Sequence, residues 1–338
     1  MSTRRISIIR IWGLLGLIAL LVLTGCGRGT PTRTGTEHVV LALGYIPSVQ
    51  FAPFYVAQDK GFFAEEGLEV EFRHGFETDF LKLVAAGEIP FVVASGEEVI
   101  LGRSRGLPVT YVAQWYTRFP VAMFALAEKG FTSPKDIEGK TLGIPGPFGA
   151  TYIGWKALVY AVGIDEDRVK VESIGFTQAA AVSEGKVDAA MDYIANGPVR
   201  LRLAGQEVTL FPVSDYIDLP SNGLVTSDKM IRERPDLVTR MTRAMLRGIR
   251  YTLDHPDEAF HMALRHVPEA GGEQEKVSRA VFDASLPLWT PPPGRKLGHS
   301  DPEQWERAEQ FLREMGLIET HVDVTGVMTN DFVKRAGF

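Results

Sequence analysis

The stretch from Val39 to Phe72, VVLALGYIPSVQFAPFYVAQDKGFFAEEGLEVEF, constrains the fold more than any other part of the chain. Val39 to Leu43 is a β-branched and apolar run, and Gly44 ends it with a residue free to take any backbone conformation. Tyr45 to Phe51 follows as a loop. Pro53 to Lys60 carries Phe54, Tyr55, Val56 and Ala57 on a helical period, and Lys60-Gly61 closes the segment with a C-terminal charge and a glycine stop. After a turn at Glu65-Glu66-Gly67, Leu68 to Phe72 resumes strand alternation. A strand, a helix and a strand of these lengths make a βαβ unit. Its ligand position lies outside the carboxyl end of the first strand, where Tyr45, Gln50 and Phe51 fall.

The N-terminus is of a different kind. Arg4, Arg5 and Arg10 precede an apolar run, Ile11 to Leu23, that as a helix would span about 20 Å against a hydrocarbon core of roughly 30 Å. Leu23-Thr24-Gly25-Cys26 then resembles a bacterial lipobox, so residues 1–25 read as a signal peptide and Cys26 as a lipidated N-terminus. Cys26 is the only cysteine, which removes disulfides, thiolate zinc sites and thiol catalysis from the mature chain. Residues 26–37, rich in Gly, Thr, Pro and Arg, read as a flexible tether. The roughly 300 residues beyond suffice for two ordinary domains or one large one. Net charge is −6 and falls to −9 with the three signal arginines removed; with no basic stripe in the chain, this argues against a nucleic-acid partner.

Further along, each predicted strand delivers polar or aromatic residues at its end. Thr78 to Gly87 reads as a helix capped by Thr78, and Pro90 to Ala94 as a strand. Ser95 caps the next helix; Glu97 and Glu98 suit its macrodipole, and Ser95 lies where a ligand could meet a free helix amide. The strand Val109 to Gln114 runs into Trp115-Tyr116-Thr117-Arg118-Phe119-Pro120, whose aromatics need a roof of protein or of ligand. Val121 to Ala127 reads as a strand crossing into a second lobe. In PGPFGATYIGWKALVY, from Pro145 to Tyr160, a helix starting near Thr151 directs its free amides into a glycine loop flanked by Phe148 and Tyr152, which either face a ligand or pack under the helix. Gly143, Gly146 and Gly149 have the spacing G-x-x-G-x-x-G, so neither nucleotide fingerprint is met. Val187 to Tyr193 ends in Asp192 and Tyr193, candidates to face a cleft, although Asp192 is equally placed to cap the Asn196-Gly197-Pro198 turn. Ser221-Asn222-Gly223 is a polar turn on a return crossing. Leu237, Met241, Met245 and Ile249 mark a helix over residues 236–254. His261 and His266, five apart, do not share a helix face, which argues against a metal pair.

The aromatic loop followed by PFYVAQDKGFFAEEGLEVEF resembles the first lobe of the substrate-binding proteins of ABC importers, in the branch of THI5-like pyrimidine, nitrate/sulfonate and riboflavin receptors. The pattern G-x-V-D-A-A at residues 185–190 resembles their second-lobe strand. The resemblance implies an α/β, two-lobe periplasmic-binding-protein fold of type II, with mainly parallel sheets, helices on both faces and two hinge crossings. Lobe one would comprise 38–120 and 218–338, and lobe two 121–217. It further implies a monomeric, lipid-anchored receptor on the extracytoplasmic face of the cell membrane, with no enzymatic activity and no cofactor, that delivers a small molecule to a permease and its ATPase. The aromatic loops suit a flat heteroaromatic solute: riboflavin first, a thiamine pyrimidine precursor such as formylaminopyrimidine second. The expected contacts are Tyr45, Gln50, Phe51, Ser95, Trp115, Phe148, Thr151, Tyr152, Asp192, Tyr193 and Asn222. The rival class is a THI5-like pyrimidine-synthesising enzyme, whose cysteine-rich motif this chain lacks. A sensory receptor of the same fold is a third possibility.

Overall fold

The computed structural model describes residues 35–338; Cys26, residues 1–25 and most of the expected tether lie outside the described residues. The first strand, β1 (Glu37–Leu43), starts at the last residue of the expected tether. Glu37 is already ordered there, taking two guanidinium partners, Arg234 at 2.8 Å and Arg240 at 3.0 Å.

The described strands form two five-stranded sheets. In the first, β2 (Leu68–His74), β1, β3 (Phe91–Ala94), β10 (Gly223–Ser227) and β4 (Val109–Gln114) lie side by side in that order. The second has the order β7 (Lys170–Ser173), β6 (Thr141–Ile144), β8 (Ala189–Tyr193), β5 (Val121–Leu126), β9 (Val208–Pro212). Strand β1 pairs in parallel with β2 and β3, and β6 with β7 and β8. Each sheet also holds one antiparallel strand in its fourth place, β10 in the first and β5 in the second. These are the two strands that the chain enters directly from the other sheet, so each arrives with reversed direction. The remaining connections are helical crossovers, as parallel pairing requires.

The two crossings, residues 115–120 and 213–222, run together: the amides of Trp115 and Tyr116 both donate to the carbonyl of Asn222 at 3.0 Å. Gly223 follows, where a Cβ would overlap the Tyr111 ring and hydroxyl, so the close approach of β10 to β4 depends on glycine. The helix Pro235–Asp254 buries Leu237, Met241, Met245 and Ile249 as the four-residue spacing predicts. The helix Glu275–Trp289 delivers Trp289 fully buried behind the crossings. Among the described residues no helix is long and apolar enough to cross a membrane.

Candidate functional site

Strand ends of both sheets and the two crossings converge on one cavity. Its walls come from Gly44, Tyr45, Gln50 and Phe51 after β1, Gly75 to Thr78 after β2, Trp115 and Tyr116 after β4, and Pro145 and Phe148 to Thr151 after β6. Phe176 and Gln178 after β7, Asp192, Tyr193 and Asn196 at the end of β8, and Asn222 before β10 complete it. This is the place where an open α/β sheet offers side chains and helix amides to a ligand.

One wall is a stack of rings. Trp115 is 3% exposed; its ring lies 5.3 Å from that of Phe51 with planes 23° apart, meets Phe54 edge-on at 5.1 Å, and is backed by Trp289 at 6.4 Å. Trp115 therefore belongs to the core and to the cavity at once. The loop before it is pinned by the His74 imidazole, whose Nδ1 lies 3.1 Å from the Tyr45 carbonyl oxygen. Two buried donors on this side, Gln50 Nε2 and Trp115 Nε1, have no partner among the described residues.

The floor is polar. Tyr193 donates its hydroxyl to Asn222 Oδ1 (3.1 Å), and Asn222 Nδ2 donates to Glu77 Oε1 (2.9 Å). Glu77 Oε2 accepts from both the amide and the hydroxyl of Ser95, at 2.9 and 2.6 Å. Desolvation pushes the Glu77 carboxyl up to about 7, and the neighbouring Glu98 adds to the rise while the bonds from Ser95 and Asn222 oppose it. A carboxylate can reach this position because residue 44 is glycine; a Cβ there would overlap Glu77 Cγ and stand 2.9 Å from the Val93 carbonyl oxygen. Asp192 accepts from the amides of Tyr193 (2.7 Å) and Gly197 (2.9 Å), so it caps the turn and lines the cavity together. Burial lifts its carboxyl to about 6 against those bonds.

The mouth is apolar and drawn from both sheets. Phe76, Phe148 and Phe176 are 48%, 41% and 43% exposed. Phe76 meets Phe148 edge-on at 5.5 Å and lies over Phe176 at 6.0 Å, and Tyr45 meets Phe176 edge-on at 5.1 Å.

Of the residues expected to contact a ligand, Tyr45, Gln50, Phe51, Trp115, Phe148, Thr151, Asp192, Tyr193 and Asn222 line the cavity. Ser95 does not: it is fully buried behind the wall, with its hydroxyl donating to Glu77 and capping no helix amide. Tyr152 is turned onto the core beside Lys156, whose Nζ lies 5.7 Å from its ring. The cap predicted at Thr78 is displaced as well, since Phe76 holds the N-cap position and the helix begins at Glu77. Glu77 and Phe76 are hidden for that reason, although Gly75-Phe76 at the end of β2 repeats the glycine-aromatic pair that opens the β1 loop. Phe176, after Gly175 beyond β7, carries the same signal. Among the described residues no group of three His, Cys, Asp or Glu is placed to hold a metal ion.

Comparison with known proteins places this geometry among relatives. The NMT1/THI5-like family matches residues 48–259. A riboflavin-binding protein, RibY, of Chloroflexus aurantiacus is 41% identical, with 96% of this chain and 98% of that protein covered. A formylaminopyrimidine-binding protein of Halalkalibacterium halodurans is 32% identical over 90% of this chain and 94% of its own length. A 4-amino-5-hydroxymethyl-2-methylpyrimidine phosphate synthase of Legionella pneumophila is 25% identical, covering 88% of this chain and 92% of that one. Among solved structures, the periplasmic aliphatic sulphonate binding protein SsuA of Escherichia coli shares the fold, with a TM-score of 0.69 and 10% identity over 87% of this chain and 92% of that chain.

Proposed function

The chain belongs to the NMT1/THI5-like family, and from that premise we propose that this substrate-binding protein takes riboflavin into the cavity between its two sheets and hands it to the permease of an ABC importer. The observation that carries the reading is the match along nearly the full chain to a riboflavin-binding protein at 41% identity. The cavity chemistry supports it. A flat ring system entering beside Phe51 and Trp115 gains about 0.5 to 1.5 kcal/mol per aromatic stack beyond the area it buries. A nanomolar receptor needs about 12 kcal/mol, so burial and polar contacts supply most of the rest. The unpartnered donors Gln50 Nε2 and Trp115 Nε1 suit ring carbonyls, and the Glu77 carboxylate suits a ring N–H.

In this reading residues 38–120 with 218–338 form one lobe and 121–217 the other, closing about the paired crossings over the ligand. Residues 1–25 are a signal peptide, and a lipid on Cys26 tethers the monomeric receptor to the outer face of the cell membrane. The ligand is carried without being transformed. A second reading, formylaminopyrimidine as the ligand, is favoured by the relative of that name at 32% identity.

Calorimetry with riboflavin and with formylaminopyrimidine separates the two. The expected result is one riboflavin per chain, its fluorescence quenched against the ring stack, with the recovered vitamin unchanged in mass. Binding of the pyrimidine alone moves the assignment to the second reading. Binding of neither, with taurine, nitrate or an amino acid bound instead, overturns both.

A further inference from the structure

The cavity takes a ring but offers no counter-charge. None of the described residues lining it is Lys, Arg or His, whereas Glu77 and Asp192 are both carboxylic acids. The cations nearest in effect, Arg200 toward Asp192 and Arg105 toward Glu98, stand outside the lining. A feature of the cavity that ordinarily receives an anion is the N-terminus of the helix Gly149–Val162, where Gly149, Ala150 and Thr151 line the cavity and first-turn amides have no carbonyl acceptor within the helix. Its first amide is already taken. Glu98, 5% exposed on the helix Gly96–Ser104 of the first sheet, places Oε1 3.0 Å from the Gly149 amide.

We infer that Glu98 plugs the helix terminus and, with Glu77 and Asp192, makes the cavity selective for the unphosphorylated form of its heteroaromatic ligand, rejecting the phosphate monoester. An incoming phosphate would meet a carboxylate already bonded to the first amide of the helix, two further acids across the cavity and no guanidinium or ammonium to pair with. It would shed its hydration without compensation. Helix amides that would otherwise favour the phosphate are thereby turned to the opposite effect. The inference rests on the reading of the cavity as a vitamin site and names the form of the vitamin it accepts.

The test compares affinities of the full chain for riboflavin, riboflavin 5′-phosphate and a neutral 5′-ester of riboflavin similar in size to the phosphate. Like-charge placement at an interface costs several kcal/mol, so the phosphate should bind about 100-fold or more weaker than riboflavin, and the neutral ester within about tenfold of it. Glu98→Gln keeps an acceptor for the Gly149 amide while removing the charge, and should narrow the ratio between riboflavin and its phosphate by about tenfold or more. Equal binding of riboflavin and its phosphate overturns the inference while leaving the vitamin reading intact. A neutral ester rejected as strongly as the phosphate also overturns it, since the exclusion would then be steric; this arm needs no variant and holds if Glu98→Gln fails to fold. If formylaminopyrimidine is bound and riboflavin is not, 4-amino-5-hydroxymethyl-2-methylpyrimidine and its phosphate are compared in the same way, and equal binding of that pair overturns the inference; binding of neither riboflavin nor formylaminopyrimidine removes the vitamin reading and the inference together.

Discussion

Tyr193, the last residue of β8 in the second sheet, gives its hydroxyl to Asn222 at 3.1 Å, on the crossing that returns to the first. Asn222 passes the chain of bonds on to Glu77, at the start of a helix that follows β2. The cavity floor is therefore one hydrogen-bonded strip running from one sheet to the other. Of its bonds, that from Tyr193 to Asn222 joins the two sheets and contributes only when they hold their present spacing.

Tyr193→Phe removes the bond between the sheets and leaves Asn222 Oδ1 without that donor. Loss of a buried bond of this kind costs about 1 to 2 kcal/mol, which predicts ligand affinity lower by roughly 5- to 30-fold. Calorimetry on the variant checks it. Full affinity in Tyr193→Phe, with a lowered unfolding midpoint, would show that the bond serves the fold alone.

Mass spectrometry of the membrane fraction tests the anchor. The basic, apolar and Leu-Thr-Gly-Cys succession predicts a mature chain that begins at Cys26 with lipid attached, and a Cys26→Ser variant that is no longer lipidated yet still binds ligand. An intact Met1 on the purified protein contradicts the prediction.

Stability should fall as pH rises from about 4.5 to about 7. In that window Glu77, held at about 7 in the folded chain against an ordinary 4.5, keeps a proton that the unfolded chain has released, so raising the pH favours unfolding. Asp192 acts in the same sense between about 3.8 and 6. The Glu77 share is at most roughly 3 kcal/mol across its window. Urea midpoints of wild type and Glu77→Gln, measured every half unit of pH, check it: the variant's profile should be flatter between 5 and 7, and parallel profiles would remove Glu77 as the source.

The residues found by sequence were those that local pattern alone identifies. Tyr45, Gln50 and Phe51 follow a β-branched run and a glycine, and Trp115 follows another strand, so their place at strand ends was readable without knowing what packs on them. Glu77 was hidden because a helix capped at Thr78 leaves it in the preceding loop, and only the fold shows that the helix begins at Glu77 and that Gly44 leaves room for its carboxylate above Ser95 and Asn222. Ser95 misled as well: serine before a helix reads as a cap, yet here its hydroxyl is turned to donate to the Glu77 carboxylate and caps no amide. Trp289 reaches the ring stack from a helix far away in sequence, and no local pattern reports such a contact. The antiparallel places of β5 and β10 likewise follow from the order in which the chain changes sheets, not from the composition of either strand.

Trp115 and Phe148 line the same cavity from different environments, and their alanine variants should part company. Trp115 is buried among Phe51, Phe54, Tyr116 and Trp289, so Trp115→Ala opens a cavity in the core and costs about 3 to 5 kcal/mol of stability, together with the stacking and burial it offers a ligand. Both the urea midpoint and the affinity should drop, the latter by roughly 30-fold or more. Phe148 is 41% exposed and touches only the ring of Phe76 among the aromatics, so Phe148→Ala should change stability by no more than about 0.5 kcal/mol. Its affinity should still fall, by about 3- to 10-fold, because the ring covers the mouth of the cavity from the second sheet. Measured side by side, the two variants separate a ring that holds the wall from a ring that covers the ligand. Unchanged affinity in Trp115→Ala despite its lost stability would show that the ring stack faces away from the bound molecule.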